Sequence, residues 1–435
     1  MRKESVILIL CAITLVCAVN DGFWLVKTAR GASTIIVPDD YSTIQEAINS
    51  AADGDTISVK AGTYYEHVVV NKTVSLVGEN RDTTAIDGNG TGHVIDVTRD
   101  YVNVANFTVR KGGSIMFPDF NAGISLNNAR GCVISSNNID DNGCFGIHLL
   151  NSDQNTISGN NFTHNAMYAI DLTESNGNTI SFNTATFNTN IAIGMHITSN
   201  NNIIAGNAIV NNTYGIDAAN ASNNTISNNY VANNSEIGIW IQDNVITNVI
   251  CGNNVTGSRY CIKIEGQSNY NTIVQNTLSE NRYGLYIASS TQNTIFNNNI
   301  IGNSQQVYVD SGSINAWNGS YPSGGNFWSD YGGADQFGGP YQNVTGSDGM
   351  GDTPYTIDAF NVDHFPLMLP YNPSPVGGDL NADGTVDIFD IVIVALEFGR
   401  PPPPIEDERA DVNKDGVVDI FDIAIVAIHF GESKR

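Results

Sequence analysis

The sequence predicts two kinds of structure in one chain: a solenoid of short parallel β-strands, followed by a small domain built from helices. Three observations lead to this prediction. From about residue 130 an Asn-x-Ile triplet recurs at intervals of 22 to 24 residues. Within each repeat apolar and polar residues alternate, which is strand periodicity. Near the C-terminus an aspartate-rich segment of twelve residues occurs twice, and an apolar run follows each copy.

Residues 1–33 are expected to be a signal peptide or an uncleaved N-terminal anchor. Arg2 and Lys3 precede an apolar run from Val6 to Val19 in which Thr14 is the one polar residue. This run is short for a membrane span and has the build of the apolar region of a signal peptide. We therefore expect export, to the medium or the cell surface. No later segment of the sequence is apolar enough to span a bilayer.

The charge of the chain limits its partners. Lys and Arg number 19 against 44 Asp and Glu, a formal net charge of −25. Nucleic acid and anionic membrane surfaces would repel such a chain. Cations and neutral polymers are the better partners on this criterion.

The repeat itself predicts a parallel β-helix, an all-β fold in which each turn stacks on the previous one at about 4.8 Å. Asparagine recurs five residues after every Asn-x-Ile anchor, and again ten residues after all but one of them. Its side-chain amide can bond to the equivalent residue of the next turn, and asparagine tolerates the left-handed conformation of tight bends. The anchors begin at residues 132 (with cysteine), 155, 178, 202, 224, 248, 271 and 293.

Residues 37–66 predict a cap for the first turn. The segment reads as a short amphipathic helix followed by a strand, with Ser42 or Thr43 as the N-cap. Such a helix would cover sheet edges that otherwise invite aggregation. Four cysteines lie beyond the N-terminal segment, and the sequence leaves their pairing open: Cys132, Cys144, Cys251 and Cys261.

The cap sequence TIQEAINSAADGDTISVKAGTY, together with the segments at 324–333 and 349–368, resembles the NosD-like branch of the pectin-lyase-like proteins. The resemblance covers residues 35–370 and implies a right-handed parallel β-helix with caps that binds or hydrolyses carbohydrate. Relatives are also linked with copper delivery. His148 and His196 lie two turns apart, which is far for joint ligation, and no cluster of soft Cys and Met ligands is built around them.

Candidate site residues come from the outward positions of the GIHL-type strands. Asp171 and Asp217 lie two turns apart, roughly 9.6 Å between backbones, which suits the carboxyl pair of an inverting glycosidase. His196 is expected between them. Trp240, Tyr286 and Tyr308 could stack on sugar rings. Binding without catalysis and a solvated face without chemistry are the alternatives. The predicted outward column is Ser125, His148, Asp171, His196, Asp217, Trp240, Lys263, Tyr286 and Tyr308.

The aspartate-rich segments after the linker at 371–378 have the spacing of calcium loops. Oxygen-bearing side chains fall at loop positions 1, 3, 5, 9 and 12, glycine stands at position 6, and position 7 offers its backbone carbonyl. Two copies, 32 residues apart, predict two calcium ions. The ligands are Asp379, Asn381, Asp383, Thr385, Asp387 and Asp390 in the first loop, and Asp411, Asn413, Asp415, Val417, Asp419 and Asp422 in the second.

These loops depart from an ordinary EF-hand because a helix follows each loop and none precedes it. Such units resemble type I dockerins, and we assign residues 379–435 to a dockerin. The resemblance implies a calcium-folded, all-α module that docks into a cohesin-type domain. Loop positions 10 and 11, which often select the cohesin, hold Ile-Phe in both copies: Ile388, Phe389, Ile420 and Phe421. Internal packing is the alternative role for these four residues.

The sequence therefore predicts an exported, polysaccharide-directed β-helix tethered through a dockerin. The competing interpretation is a structural or adhesive surface protein whose β-helix is a spacer. Neither the polysaccharide nor the presence of catalysis follows from the sequence.

Overall fold

The computed structural model describes residues 31–114, 120–371, 380, 386, 388–398, 410, 412, 418, 422–423, 426–427 and 430. Residues 26–370 and the C-terminal residues from 371 onwards belong to separate compact units, which are described in turn. The first unit is an all-β parallel solenoid of about twelve turns, so the predicted fold class is confirmed for this part of the chain.

Each turn of the solenoid contributes one strand to each of three parallel sheets. Sheet 1 contains β1 (Thr34–Val37), β2 (Thr56–Val59), β5 (Ser75–Gly78), β8 (Asn103–Ala105), β11 (Val133–Ser135), β14 (Thr156–Ser158), β17 (Thr179–Ser181), β20 (Ile203–Ala205), β23 (Thr225–Ser227), β26 (Val249–Cys251), β29 (Thr272–Val274) and β32 (Thr294–Phe296). Sheet 2 contains β3 (Gly62–Tyr64), β6 (Thr84–Asp87), β9 (Thr108–Arg110), β12 (Asn138–Asp140), β15 (Asn161–Thr163), β18 (Thr184–Thr186), β21 (Ala208–Val210), β24 (Tyr230–Ala232), β27 (Asn254–Thr256), β30 (Thr277–Ser279), β33 (Asn299–Ile301) and β35 (Phe327–Trp328). Sheet 3 contains β4 (Val68–Val70), β7 (Ile95–Val97), β10 (Ala122–Asn127), β13 (Phe145–Leu150), β16 (Tyr168–Thr173), β19 (Ile191–His196), β22 (Tyr214–Ala219), β25 (Ile237–Gln242), β28 (Tyr260–Ile264), β31 (Tyr283–Ile287) and β34 (Gln305–Val309).

The helix α1 (Ile44–Ser50) covers the first turn, as the sequence predicts. Thr43 is the N-cap, and its side chain accepts a hydrogen bond from the backbone N–H of Glu46. The carboxylate of Glu66 accepts from the backbone N–H groups of Ile44 and Gln45, so further free donors of the helix start are satisfied. Ile44 and Ile48 are fully buried against the solenoid core.

The asparagines form buried ladders along the solenoid, which confirms their structural role. Asn183 is typical: its backbone N–H and its Nδ2 both donate to Oδ1 of Asn207, and its Nδ2 also donates to the carbonyl of Ile157. Each ladder side chain thus satisfies backbone groups that point into a water-free interior, where an unpaired polar group would be costly. Three such ladders run along the corners of the solenoid.

The left-handed bends do not lie at the ladder asparagines, contrary to the sequence prediction. They lie at the residue directly before, such as Phe182 before Asn183 and Phe187 before Asn188. The reason is that the ladder side chain has to point inward, so the preceding residue makes the turn. Several of these positions hold glycine, including Gly159, Gly206 and Gly252.

The closing segment ends two of the ladders on aspartates. Asn326, at the end of one ladder, donates from its backbone N–H to Oδ2 of Asp363, and Trp328 donates to the same oxygen from Nε1. Asn361 ends the other ladder, and its Nδ2 donates to Oδ2 of Asp358. Trp328 is buried, so it closes the core. The segment also contains β36 (Phe337–Gly338), β37 (Val344–Thr345), β38 (Tyr355–Thr356) and β39 (Val362–Asp363).

In the described part of the C-terminal unit, helix α2 (Ile388–Glu397) begins at position 10 of the first predicted loop and continues beyond the end of that loop at Asp390. Residues 422–423 and 426–427 are helical as well. A small separate core consists of Val386, Val394, Ala410, Val418 and Val426. Val386 and Val394 occupy positions 32 residues before Val418 and Val426, so both sequence repeats contribute equivalent side chains. None of the described helices is long and apolar enough to cross a membrane.

Candidate functional site

The outward positions of sheet 3 form one unbroken column, aligned by parallel pairing of its strands. The register places Val69, Asp96, Ser125, His148, Asp171, Gly194, Asp217, Trp240, Lys263, Tyr286 and Tyr308 in this column. Eight of the nine residues that the sequence predicts here are therefore confirmed in position. Asp96 extends the column towards the N-terminus, where the sequence offered too short an apolar pattern to align it.

The exception is His196, whose predicted place in the column is wrong. Gly194 occupies it, and His196 lies two residues further on, paired with Thr173 of the preceding turn. The inward residues of this strand are Ile193 and Met195, both fully buried. The turn is long, and the consecutive left-handed residues Ile197 and Thr198 after the strand take up its extra length.

His196 nevertheless reaches the position where it was expected. Its Nε2 lies 3.5 Å from Oδ1 of Asp171, while Nε2 of His148 lies 3.4 Å from Oδ2 of the same carboxylate. Gly194 makes this possible, because a Cβ at that position would lie 2.5 Å from the His196 Nε2 and 2.8 Å from the Tyr168 ring. Asp171 is thus held between two imidazoles. We call His148, Asp171, His196 and Asp217 the acid–histidine cluster.

The cluster is largely buried. His148, Asp171 and Asp217 are 5%, 3% and 2% exposed, whereas the sequence prediction placed their side chains towards solvent. Aromatic rings account for part of this, since Phe145 packs on His148 with ring centroids 4.9 Å apart and Tyr168 packs edge-on against His196 at 5.3 Å. Burial in such surroundings disfavours charge and shifts proton affinities.

The pKa values of Asp217, His148 and Tyr168 shift in the direction that burial of a charged form predicts. Burial raises the pKa of Asp217 to about 6, an effect that the nearby His196 and a hydrogen bond from Gln242 Nε2 partly offset. Burial lowers the pKa of His148, although Asp171 opposes the shift. Burial also raises the pKa of Tyr168, and the charges of Asp171 and Asp217 add to this. Asp217 is therefore a carboxyl group that can hold a proton near neutral pH.

Further along sheet 3 the column becomes aromatic. Tyr286 stacks on Tyr308 with centroids 4.7 Å apart, and Tyr260 stacks on Tyr283 at 5.1 Å. We call Trp240, Tyr260, Tyr283, Tyr286 and Tyr308 the aromatic patch. The sequence analysis identified Trp240, Tyr286 and Tyr308 but missed the two tyrosines of the adjacent column. The sequence spacing could have revealed them, because Tyr260 and Tyr283 each stand three residues before a member of the column, Lys263 and Tyr286, in successive repeats.

A lysine is held within the patch. Nζ of Lys263 lies 5.1 Å from the ring centroid of Trp240 and 5.7 Å from that of Tyr286. Glu265 fixes both partners, since it pairs with Lys263 at 2.6 Å and accepts from Trp240 Nε1 at 2.9 Å. The patch is thus a preorganised surface of rings rather than a set of independent side chains.

The cysteines and the calcium loops complete the inventory of candidate residues. Cys132, Cys144, Cys251 and Cys261 are all free and buried.

Of the predicted calcium ligands the structure describes Asp390 and Asp422, which are fully buried. Their Oδ1 atoms accept hydrogen bonds from the backbone N–H groups of Leu380 and Val412. The other predicted ligands lie outside the described residues: Asp379, Asn381, Asp383, Thr385, Asp387, Asp411, Asn413, Asp415, Val417 and Asp419.

Of the predicted partner-binding residues, Ile388 is 46% exposed, which favours an external role over internal packing. The side chain of Phe389 and the residues Ile420 and Phe421 lie outside the described part.

The stacked three-sheet architecture and the column along sheet 3 define a pectin-lyase-like parallel β-helix. The chain belongs to the NosD family: the model described as "Periplasmic copper-binding protein (NosD)" matches residues 48–253 and 194–333. Residues 377–430 match the dockerin type I domain. A search among curated proteins found no significant match.

Solved structures share the fold at low identity. The DFA-IIIase from Arthrobacter chlorophenolicus A6 in complex with GF2 is 14% identical, with a TM-score of 0.51 over 66% of this chain and 93% of that one. The Azotobacter vinelandii mannuronan C-5 epimerase AlgE6 A-module is 13% identical, with a TM-score of 0.46 over 62% and 91%. The alginate lyase from Paenibacillus sp. str. FPU-7 is 15% identical, with a TM-score of 0.44 over 64% and 99%. At this identity the likeness concerns the fold alone.

The family description names copper, but the acid–histidine cluster does not fit a copper site. The two histidine Nε2 atoms contact different oxygens of the Asp171 carboxylate, His148 at Oδ2 and His196 at Oδ1, so this carboxylate already engages the nitrogen atoms that would bind copper. Among the described residues no group of three or more His, Cys, Asp or Glu side chains could hold a metal ion.

Proposed function

We propose that the solenoid binds a polysaccharide along sheet 3 and that the dockerin tethers it to a cohesin-type partner outside the cell. The observation that carries this proposal is the unbroken outward column, which leads from the acid–histidine cluster into the aromatic patch. A polymer of rings needs a long, straight row of stacking surfaces, and stacked strands provide one ring position per turn, about 4.8 Å apart.

The state of the aromatic side chains supports binding. Tyr308 is 37% exposed and the other rings of the patch are half-buried, so their faces are held by neighbours and still reach solvent. Because the rings are already fixed by stacking and by Lys263, a ligand would lose little affinity to ordering them. Trp240, Tyr286 and Tyr308 are the residues that we assign to sugar stacking.

Hydrolysis is the second candidate, favoured by the raised pKa of Asp217. In this scheme Asp217 donates its proton to the glycosidic oxygen as the C–O bond breaks. Asp171 accepts a proton from the water that attacks the anomeric carbon, and His196 positions the Asp171 carboxylate. The burial of both carboxylates makes binding the leading function and hydrolysis the second.

The tether rests on the C-terminal match and on the calcium-loop spacing. Calcium, when bound, would supply the charge that neutralises the two loops, and the twelve predicted ligands would hold it. Asp390 and Asp422 fit this role, because each buried carboxylate at loop position 12 accepts a hydrogen bond from the backbone N–H at position 2 of its own loop. A dockerin and a family described as periplasmic support an extracellular or cell-surface location.

The test is affinity electrophoresis of the calcium-loaded protein in gels that contain pectic, xylan, glucan or host-type glycans. Retardation by one class of glycan, reduced at least tenfold in apparent affinity by Trp240→Ala or Tyr286→Ala, is the expected result. Phe182→Ala is the matched control, since Phe182 is an exposed ring in the bend between sheets 1 and 2. If no glycan retards the protein, the proposed binding function is wrong and the interpretation of the β-helix as a structural spacer replaces it.

Reducing-end release on the same panel tests hydrolysis. Release that both Asp171→Asn and Asp217→Asn abolish would assign catalysis to the column. Retardation without release would assign binding alone.

A further inference from the structure

Two arginine–tyrosine pairs repeat on neighbouring turns at the edge of the aromatic patch. The guanidinium of Arg259 lies 5.1 Å from the ring centroid of Tyr260, and that of Arg282 lies 5.4 Å from the ring centroid of Tyr283. Tyr260 and Tyr283 are paired in register and stacked. The two arginines therefore stand directly above each other, with backbones about 4.8 Å apart.

This arrangement places like charges next to each other on a chain that is otherwise strongly acidic. Arg259 pairs with Glu236 at 3.2 Å, but both side chains are close to half exposed, so the pair is weak. Among the described residues Arg282 has no carboxylate within ion-pair distance. Adjacent like charges on neighbouring strands are destabilising unless an anion lies between them.

Each arginine–tyrosine pair has the chemistry to bind a sugar ring that carries an anionic group. A guanidinium that lies over an aromatic face keeps its N–H groups free at the edge, where they can bind a carboxylate or sulfate with two parallel hydrogen bonds. The rings that a sugar would stack on, Tyr286 and Tyr308, lie on the same sheet, and Tyr286 packs edge-on against both Tyr260 and Tyr283.

We propose that Arg259 and Arg282 select an acidic polysaccharide, one that carries a uronate carboxylate or a sulfate ester, as the ligand of the aromatic patch. The proposal rests on the proposed function and names its substrate class. It also departs from the expectation from net charge that neutral polymers are preferred, because Arg282 places a cation without a carboxylate partner among the described residues at the edge of the patch.

The experiment compares acidic polymers with their neutral counterparts by isothermal titration calorimetry on the full calcium-loaded chain. Polygalacturonate is paired with its fully methyl-esterified form, and dextran sulfate with dextran. We expect one acidic polymer to bind at least tenfold more tightly than its neutral counterpart, with affinity falling as salt rises. The acidic polymer that binds identifies the anion as carboxylate or sulfate.

Arg282→Gln should remove most of that preference, and Arg259→Gln with Arg282→Gln should remove all of it. Arg99→Gln is the matched control, because Arg99 is an exposed arginine with one carboxylate partner between β7 and β8. Equal binding of acidic and esterified polymers, or equal loss in the Arg99 variant, would overturn the substrate class and leave the proposed function standing. Absence of binding by every polymer would overturn both.

Discussion

The solenoid and the C-terminal unit both repeat a short motif, and both bury polar side chains. The two units differ in how the buried polar groups find their partners. In the solenoid the buried residue is asparagine, which is donor and acceptor at once, so each turn satisfies the next. In the C-terminal unit the buried residues are Asp390 and Asp422, which in the ionised form only accept. An amide repeat can therefore complete itself, whereas a carboxylate repeat needs a cation from outside.

Removal of calcium is the largest expected effect and the most direct test of this difference. Chelation should unfold the C-terminal unit and abolish partner capture, because the loop carboxylates then repel one another. The solenoid should melt at an unchanged temperature. Differential scanning calorimetry with and without chelator separates the two transitions, and restored calcium should recover the lost one. Loss of the solenoid transition on chelation would contradict the comparison.

A change inside an amide ladder should be the next largest effect. Asn207→Ala leaves the backbone N–H of Asn183 without its Oδ1 acceptor, removes one of the two acceptors of Asn183 Nδ2, and takes the Nδ2 donor from the carbonyl of Ile180. We expect a loss of about 2–4 kcal/mol in solenoid stability. Chemical denaturation measures it.

The control for the ladder change is Asn254→Ala, an exposed asparagine on sheet 2. That variant should stay within about 0.5 kcal/mol of the parent. Equal losses in the two variants would mean that the ladder carries no special stability.

The buried acid of sheet 3 should give the solenoid a pH dependence of smaller size. The pKa of Asp217 rises from 3.8 to about 6 on folding, so the folded state holds the proton more tightly. The stabilisation is present below about pH 4 and is lost as the pH rises through 6. Asp363, whose pKa burial also raises to about 6, acts in the same direction.

Asp217→Asn should therefore reduce, but not abolish, the fall in melting temperature between pH 4.5 and pH 7.5. We expect a change of a few °C, read by thermal denaturation at the two pH values. An unchanged fall in the variant would mean that Asp217 does not titrate with folding.

The smallest expected effect is that of a single change in one dockerin repeat. Phe389→Ala alone should weaken partner capture only about twofold, because the second repeat presents the same Ile-Phe pair. Phe389→Ala with Phe421→Ala should weaken it far more. Surface plasmon resonance on a cohesin-type partner distinguishes the two outcomes. A full loss of binding from the single change would show that the two repeats are not interchangeable in docking.

The sequence predicted the solenoid well because its interior obeys simple periodicity. The asparagine spacing, the Thr43 cap and eight positions of the outward column all follow from patterns that backbone pairing enforces. The error at His196 arose because Gly194-Met195-His196 imitates the usual strand pattern, and only the burial of Ile193 and Met195 fixes the true register.

The candidate site was less predictable because side-chain packing determines it. Alternation assigns Asp171 and Asp217 to the outer face but cannot reveal that Phe145 and Tyr168 pack around the cluster. The approach of His196 to Asp171 likewise depends on the missing Cβ of Gly194. Contacts between columns, such as that of Tyr260 with Tyr286, are invisible to a pattern read one column at a time.

The aspartates that end the ladders bear on how such a protein changes length during evolution. A typical internal turn offers an amide acceptor to the turn before and an amide donor to the turn after, so such a turn can be duplicated or lost without leaving an unmatched group. Asp363 serves as the stop, whichever turn precedes it. The length of the binding face can thus change by one repeat at a time, through duplication or loss of the gene segment that encodes one turn. The caps at the two ends stay the same.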